Sequence, residues 1–278
     1  LRISIPISGK PEIAARGMTA EEMTLPTILM LVAAGVGGGM LSSIVGGAAV
    51  VTYPALLAAG LPPVTATTCN LAASFPGVFL AALADRKQLP PLDRAFVGML
   101  IASMVGAAIG AALLLLTPQR VFALLVPVLL GFATLLCAVA EPLGNWLHAR
   151  AEKRGKTIDF SVTNLKMLLP VSFYGGYFGA GVGVLLLGVM SIATRGDYRS
   201  ANVAKNLVGS LNSGTAAAIF ALQGEVIWPQ TLALAAGTVA GGIAGAWLAR
   251  ILPRSVMRVA VVVTGAVLTA YFAWRYWF

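Results

Sequence analysis

The stretch Ser200–Leu222, SANVAKNLVGSLNSGTAAAIFAL, decides how the rest of the chain is read. It carries one charge, Lys205, inside a long apolar run. Drawn as a helix, Asn202, Lys205, Asn206, Gly209, Asn212 and Ser213 follow one another at steps of three and four and share one face. A lysine at the centre of a membrane helix costs about 2.5–3.5 kcal/mol on insertion scales, so it faces protein or water and marks a pathway or a binding site. The stripe is therefore expected to form the cationic wall of an anion site. Two plainer readings stand beside this one. The Lys205 stem is close enough to the loop at Arg195–Arg199 to reach the headgroups, and the asparagines suit interhelical hydrogen bonds worth about 0.6 kcal/mol each.

The surroundings of that stretch are those of a membrane protein. Over 278 residues, 58% are hydrophobic and 10% charged, with a mean hydropathy of +0.88. That excludes an ordinary soluble domain and gives an all-α polytopic membrane protein. Uncharged runs over 23–84, 95–119, 121–140, 167–194, 206–224 and 226–249 suit spans of about 20 residues. The net charge of +9 lies in loops beside apolar segments, where it sets topology and meets lipid headgroups rather than nucleic acid. Cys69 and Cys137 fall inside apolar segments, so neither a disulfide framework nor metal-ligand spacing is present, and no cofactor is expected. Hydrolytic or transfer chemistry wants a histidine, a carboxylate pair or a metal cluster. The single histidine, His148, has no such partners in the sequence, so the chain is not read as an enzyme.

Comparing the chain with itself reveals two diverged halves. At an offset of about 135, Gly46-Gly47 falls on Gly181–Gly183, and Gly106 and Gly110 fall on Gly241 and Gly245. One position further, Asn70-Leu71 and Ser74 fall on Asn206-Leu207 and Ser210. The expected organisation is a polar, interfacial segment over 1–23, a membrane repeat over 24–140, a cytoplasmic linker over 141–164 and a second membrane repeat over 165–278. Each repeat opens with a Gly- and Pro-interrupted segment that reads as one span, two short spans or a re-entrant hairpin. Loop charge favours the hairpin. It places Arg86, Lys87, Arg94, Arg195, Arg199, Arg250, Arg254 and Arg258 on the linker's side, leaving Arg120 and Arg275 on the other. About three transmembrane helices then follow each opening, and the two repeats are inverted, the layout of many secondary transporters.

The Gly-rich GGAAVVTYPALLAAGLPPVTATTCN (Gly46–Asn70), YGGYFGAGVGVLLLGVM (Tyr174–Met190), ANVAKNLVGSLNS (Ala201–Ser213) and GEVIWP (Gly224–Pro229) together resemble the TauE/SafE family over about residues 27–276. The resemblance implies a bacterial inner-membrane, multi-pass protein that moves sulfite, thiosulfate or a related organosulfonate anion.

Such an oxyanion wants hydrogen-bond donors and positive potential. Helix breaks at glycine supply free backbone N–H groups at the positive end of a dipole. Gly46 and Gly47 in one half, and Gly181 and Gly183 in the other, are expected to line the site beside Lys205, Asn202, Asn206 and Asn212. Asn70 and Cys69 are their counterparts in the first half. The same glycines also serve close helix packing, which is the expected role of Gly106, Gly110, Gly237, Gly241 and Gly245. With the cytoplasm negative, anion export is electrically downhill by about 2.3 kcal/mol per charge per 100 mV. No Asp, Glu or His falls mid-segment to relay protons, so simple or electrogenic export is expected. An anion channel, or an uptake permease for organosulfonates, is the alternative.

Overall fold

The computed structural model describes residues 23–44, 47–90, 93–154, 162–194, 198–248 and 254–277. Its regular elements are helical: α1 (Leu25–Ile44), α2 (Ala49–Ala58), α3 (Pro63–Ala84), α4 (Arg94–Leu116), α5 (Gln119–Arg154), α6 (Val162–Tyr177), α7 (Val182–Ala193), α8 (Tyr198–Leu222), α9 (Trp228–Leu248) and α10 (Arg254–Trp277), with a 3-10 turn at Arg86–Gln88. Among the described residues, four helical stretches are long and apolar enough to cross a bilayer: Leu25–Ser42, Pro63–Ala84, Arg94–Leu116 and Gln119–Val139. Together with the family membership established below, they make this a multi-pass membrane protein.

The glycine-rich openings are broken helices. The second member of each pair is short: α2 has 10 residues and α7 has 12. At 1.5 Å per residue these reach about 15–18 Å, half of a roughly 30 Å hydrocarbon core. Each pair folds back on itself. A Cβ on Gly38 would meet the Ala48 carbonyl and the Thr52 side chain, and one on Gly175 would meet Val182. The α6–α7 break needs left-handed backbone at Gly179 (φ 76°) and Gly181 (φ 72°), a conformation that glycine adopts without a Cβ penalty.

The polar stretch expected to link the repeats, 141–164, begins as the continuation of α5, a helix of 36 residues. Its apolar run ends at Ala140, yet the Glu, Leu, Ala, Lys and Arg content that follows is favourable to helix.

Cross-half contacts hold the bundle together. α1 packs along α9, α6 along α4, α3 against α8, and α5 against α10. The first two seams are built alike. Gly237 and Gly241 lie against the carbonyls of Val32 and Val36, while Gly106 and Gly110 lie against those of Leu169 and Phe173. Gly39 sits on the Thr238 carbonyl as Gly176 sits on that of Ala107. In both seams the contacts ascend together, so each pair runs parallel. In the α5–α10 seam, Gly131 meets Thr269 and Gly265 meets Thr134. Small residues let these backbones approach, which is how helices associate when the surroundings are as apolar as they are.

These seams also correct the register of the internal match. Gly106 and Gly110 have the packing role of Gly237 and Gly241, not of Gly241 and Gly245. The match is one helical turn out because a GxxxG spacing repeated along α9 aligns with itself equally well at four-residue steps.

Two ends of the bundle can be told apart. At one, the Thr68 hydroxyl donates to the Glu225 carbonyl (2.8 Å) and the Val64 N–H to Gln119 Oε1 (3.0 Å), joining the starts of α3 and α5 to the α8–α9 turn. We call this the Ile227 end. The opposite, Asp85 end holds the last turn of α3, the 3-10 turn and the beginning of α8.

Candidate functional site

A cavity of about 360 Å³ reaches into the bundle from the Asp85 end. Its walls come from α1 (Gly39, Ser42), the break before α2 (Ala48), α3 (Ser74, Gly77), α8 (Asn202, Asn206) and α9 (Thr238, Gly242). Asp85 at its edge is exposed. The mixture is mostly small and apolar with a few polar groups, as small-molecule sites generally are.

The polar groups divide into occupied and available ones. Ser74 donates to the Asn70 carbonyl (2.8 Å) and Thr238 to the Ala73 carbonyl (3.0 Å), so both hydroxyls are held by α3 backbone. Asn202 and Asn206 are half-buried and carry no hydrogen bond among the described residues. Their carboxamides are thus the available donors, and each offers two N–H groups. Ala48 brings the N-terminal end of α2 to the same space. Its carbonyl already accepts from Val51 and Thr52, while the dipole of the helix favours negative charge there.

Lys205 is placed differently from its asparagine neighbours. Successive residues of a helix are about 100° apart, so its side chain leaves α8 on a different bearing from that of Asn206. It is 7% exposed and is not among the residues lining the cavity. On α8, Ala201, Ala204 and Val208 around it pack with Phe96, Met99, Leu168, Leu186, Val189 and Met190. Among the described residues the amine has no hydrogen bond or ion pair.

The other expected site residues are dispersed. Asn212 is 1% exposed and lies in a buried polar group with Ser103, whose hydroxyl donates to Asn212 Oδ1, and Ser172, which donates to Ser103 (3.3 Å). Its Nδ2 has no partner and faces Gly175, where a Cβ would lie 2.9 Å away. Cys69 is fully buried; its sulfur accepts from the Ile227 N–H at 3.3 Å, holding the α8–α9 turn. Asn70, 2% exposed, accepts from Thr52 at 2.6 Å. Gly181 is buried on α5, its missing Cβ 3.2 Å from Ala133. Gly47 is buried at the entrance to α2 and Gly183 is half-buried in the first turn of α7, while Gly46 lies outside the described residues. The structure thus brings Asn202 and Asn206 together at the cavity and distributes Lys205, Asn212, Asn70, Cys69, Gly181 and Gly183 around it.

Most of the lining, including Ser42, Thr238 and Gly39, is not marked as a site by the sequence. Thr238 is the polar interruption in the Gly/Ala run of α9, and that polarity was the available signal. For Gly39 nothing local marks it, because it is one of three consecutive glycines.

The chain has relatives of recorded class. It is 25% identical over 256 residues to a probable membrane transporter protein of Haemophilus influenzae (strain ATCC 51907 / DSM 11121 / KW20 / Rd), covering 90% of this chain and 95% of that one. It is 26% identical over 226 residues to the probable membrane transporter protein ORF9 of Sinorhizobium sp, covering 81% and 84%. It is also 26% identical over 240 residues to the probable membrane transporter protein YfcA of Escherichia coli (strain K12), covering 84% of each. No solved structure matches it. The family model described as sulfite exporter TauE/SafE matches residues 31–272, which includes every residue that lines the cavity, and the chain therefore belongs to the TauE/SafE family of membrane transporters.

Proposed function

We propose that this chain is a secondary transporter that exports sulfite or a related small sulfur-containing anion, including organosulfonates, across a bacterial inner membrane. The observation that carries the proposal is the pair of unengaged carboxamides, Asn202 and Asn206, in a cavity that also receives the N-terminal end of α2. A pyramidal or tetrahedral oxyanion fits that set: several donors converge on it and helix-end potential balances part of its charge. Lys205, next to Asn206 in the chain, adds positive potential through the wall, where low dielectric strengthens it. The anion is thus bound near Lys205 rather than on it.

The exchange of packing partners between halves supports two inverted repeats. α1 and α3 begin at the Ile227 end, whereas α6 and α8 begin at the Asp85 end, so corresponding elements run in opposite directions. Taking the Asp85 end as cytoplasmic agrees with Arg86, Lys87 and Arg94 beside it. Export through this site is then driven by the membrane potential.

A carrier is favoured over a channel because the Ile227 end is closed by specific contacts. They include the Thr68 and Cys69 bonds to the α8–α9 turn and the edge-to-face Tyr53–Phe178 pair, with centroids 5.3 Å apart. Flux of sulfite, thiosulfate, sulfoacetate and sulfate into phospholipid vesicles containing the purified protein tests the proposal. Saturable flux with counterflow for at least one of the sulfur anions is expected. Lys205→Ala and Asn206→Ala should each lower it about tenfold or more, equivalent to about 1.4 kcal/mol. Unsaturable flux would establish a channel, and undiminished flux in both variants would retire the site.

A further inference from the structure

The open cavity has a closed counterpart. Exchanging the halves at the register of the repeated Asn-Leu and Ser, Asn70-Leu71 and Ser74 on Asn206-Leu207 and Ser210, carries Asn206 to Asn70, Ser74 to Ser210, Gly77 to Ser213 and Ala84 to Phe220. Every first member of these pairs except Asn206 lies on α3, and every second member except Asn70 lies on α8, the two helices that pack across the centre of the bundle. Asn206, Ser74, Gly77 and Ala84 line the cavity at the Asp85 end. Their counterparts are shut: Ser210 and Phe220 are 0% exposed, Asn70 2% and Ser213 9%.

The closure has identifiable causes. Asn70, unlike Asn206, is engaged, by Thr52 at 2.6 Å. Leu71 fills the space over Gly179, within 2.5 Å of where a Cβ would stand. Phe220 stands where the open side has only Ala84, and it packs into the core with Leu61, Phe122 and Val226. A second, independent sign points to a ligand: Asn212 Nδ2, fully buried beside Ser213 and facing the last turn of α6 at Gly175, has no partner. An unmet buried amide donor is costly, so its retention calls for something that uses it in another state.

We propose that Asn70, Asn212 and Ser213 form a second binding cavity for the same small oxyanion, opening at the Ile227 end when Phe220 withdraws, and that the described conformation is the one facing the Asp85 end. In that second state Thr52 releases Asn70, which then presents its amide as Asn206 does here. Asn212 Nδ2 gains an acceptor. This inference rests on the transporter assignment above, because an exchange of open and closed sites matters only to a carrier.

Accessibility from the two membrane faces tests it. In a Cys69→Ser/Cys137→Ala background, single cysteines are placed at Ala81, which lines the open cavity, and at its counterpart Ala217. Purified protein in phospholipid vesicles is treated with a membrane-impermeant maleimide from either face, without added anion. A81C is expected to react from one face only and A217C, more slowly, from the opposite face only. Phe220→Ala should raise the A217C rate and lower the A81C rate, each about tenfold or more, as a shift of population toward the second state requires. Phe220→Leu, a smaller change for the fold, should move both rates in the same directions by less. Reaction of A217C from the A81C face, or no reaction of A217C in either Phe220 variant, overturns the proposal. Sulfite flux measured in separate aliquots judges the transporter assignment alone: opposite-face labelling without flux would leave the paired cavities standing and remove their cargo.

Discussion

Asn206 and Asn70 occupy matching places on α8 and α3, yet they do different work. Asn206 faces a cavity with its amide unengaged, while Asn70 is buried under a hydroxyl from Thr52. The same residue type, on two helices that pack against each other, lines a cavity on one helix and is held by a buried hydroxyl on the other. What separates them is bulk. Around Asn206 the neighbouring positions are Gly77, Ala81 and Ala84, whereas around Asn70 they are filled by Leu71 over Gly179 and, at the mouth, by Phe220.

The largest effect that would break this comparison comes from the seams that hold both halves in register. Gly110→Val and Gly241→Val each place a branched side chain against a carbonyl of the parallel neighbour, Phe173 in one case and Val36 in the other. Each should cost upward of about 3 kcal/mol and abolish recovery of folded protein in detergent, since backbone on both sides cannot yield. Equal loss in the two variants would sharpen the corrected register, and tolerance of either would refute it. The next effect separates the two asparagines. Asn70→Ala leaves the buried Thr52 hydroxyl with only its own-turn carbonyl at Ala48 and should lower stability by about 1–3 kcal/mol. Asn206→Ala removes no internal bond and should leave the thermal midpoint within about 2 °C while lowering flux. Midpoints that move together would show that the cavity is not a site of unengaged groups. The smallest expected effect is at the α4–α5 turn, where Thr117 and Tyr177 hydroxyls lie 3.4 Å apart. Thr117→Val should cost under about 1 kcal/mol, because Tyr177 keeps its packing on Phe122 and its bond there is long. A larger loss would mean that the Ile227 end is held mainly by that pair.

Much of the fold was legible because membrane insertion imposes strong, local rules. Uncharged runs, the glycine-rich openings and the recurrence of Asn-Leu with a serine three residues on predicted helices, breaks and two halves, and the helices fall where those runs lie. The register between halves was less legible. α9 repeats Gly at four-residue intervals, so sequence comparison cannot choose among its turns, and only the carbonyls facing Gly237 and Gly241 do so. The helical continuation through 141–154 has no apolar periodicity to announce it, because polar residues extend a helix readily once it leaves the apolar layer.

The candidate site shows the same division. Periodicity alone placed Asn202, Lys205, Asn206 and Asn212 on one stripe of α8, because a helix fixes the angle between its own residues. That stripe is about 120° wide, broad enough to face several neighbours at once. Which neighbour each residue meets was decided by packing: α1, α3 and α9 leave space at Asn202 and Asn206, the α4 and α7 side chains close around Ala201 and Val208 beside Lys205, and Ser103 reaches Asn212. Sequence determined that this chain is a helical membrane protein in which one helix carries a polar stripe. Only the tertiary structure decided which of those polar groups stands in the open, since exposure is set by the volumes of residues distant in the chain and not by the residue's own neighbours.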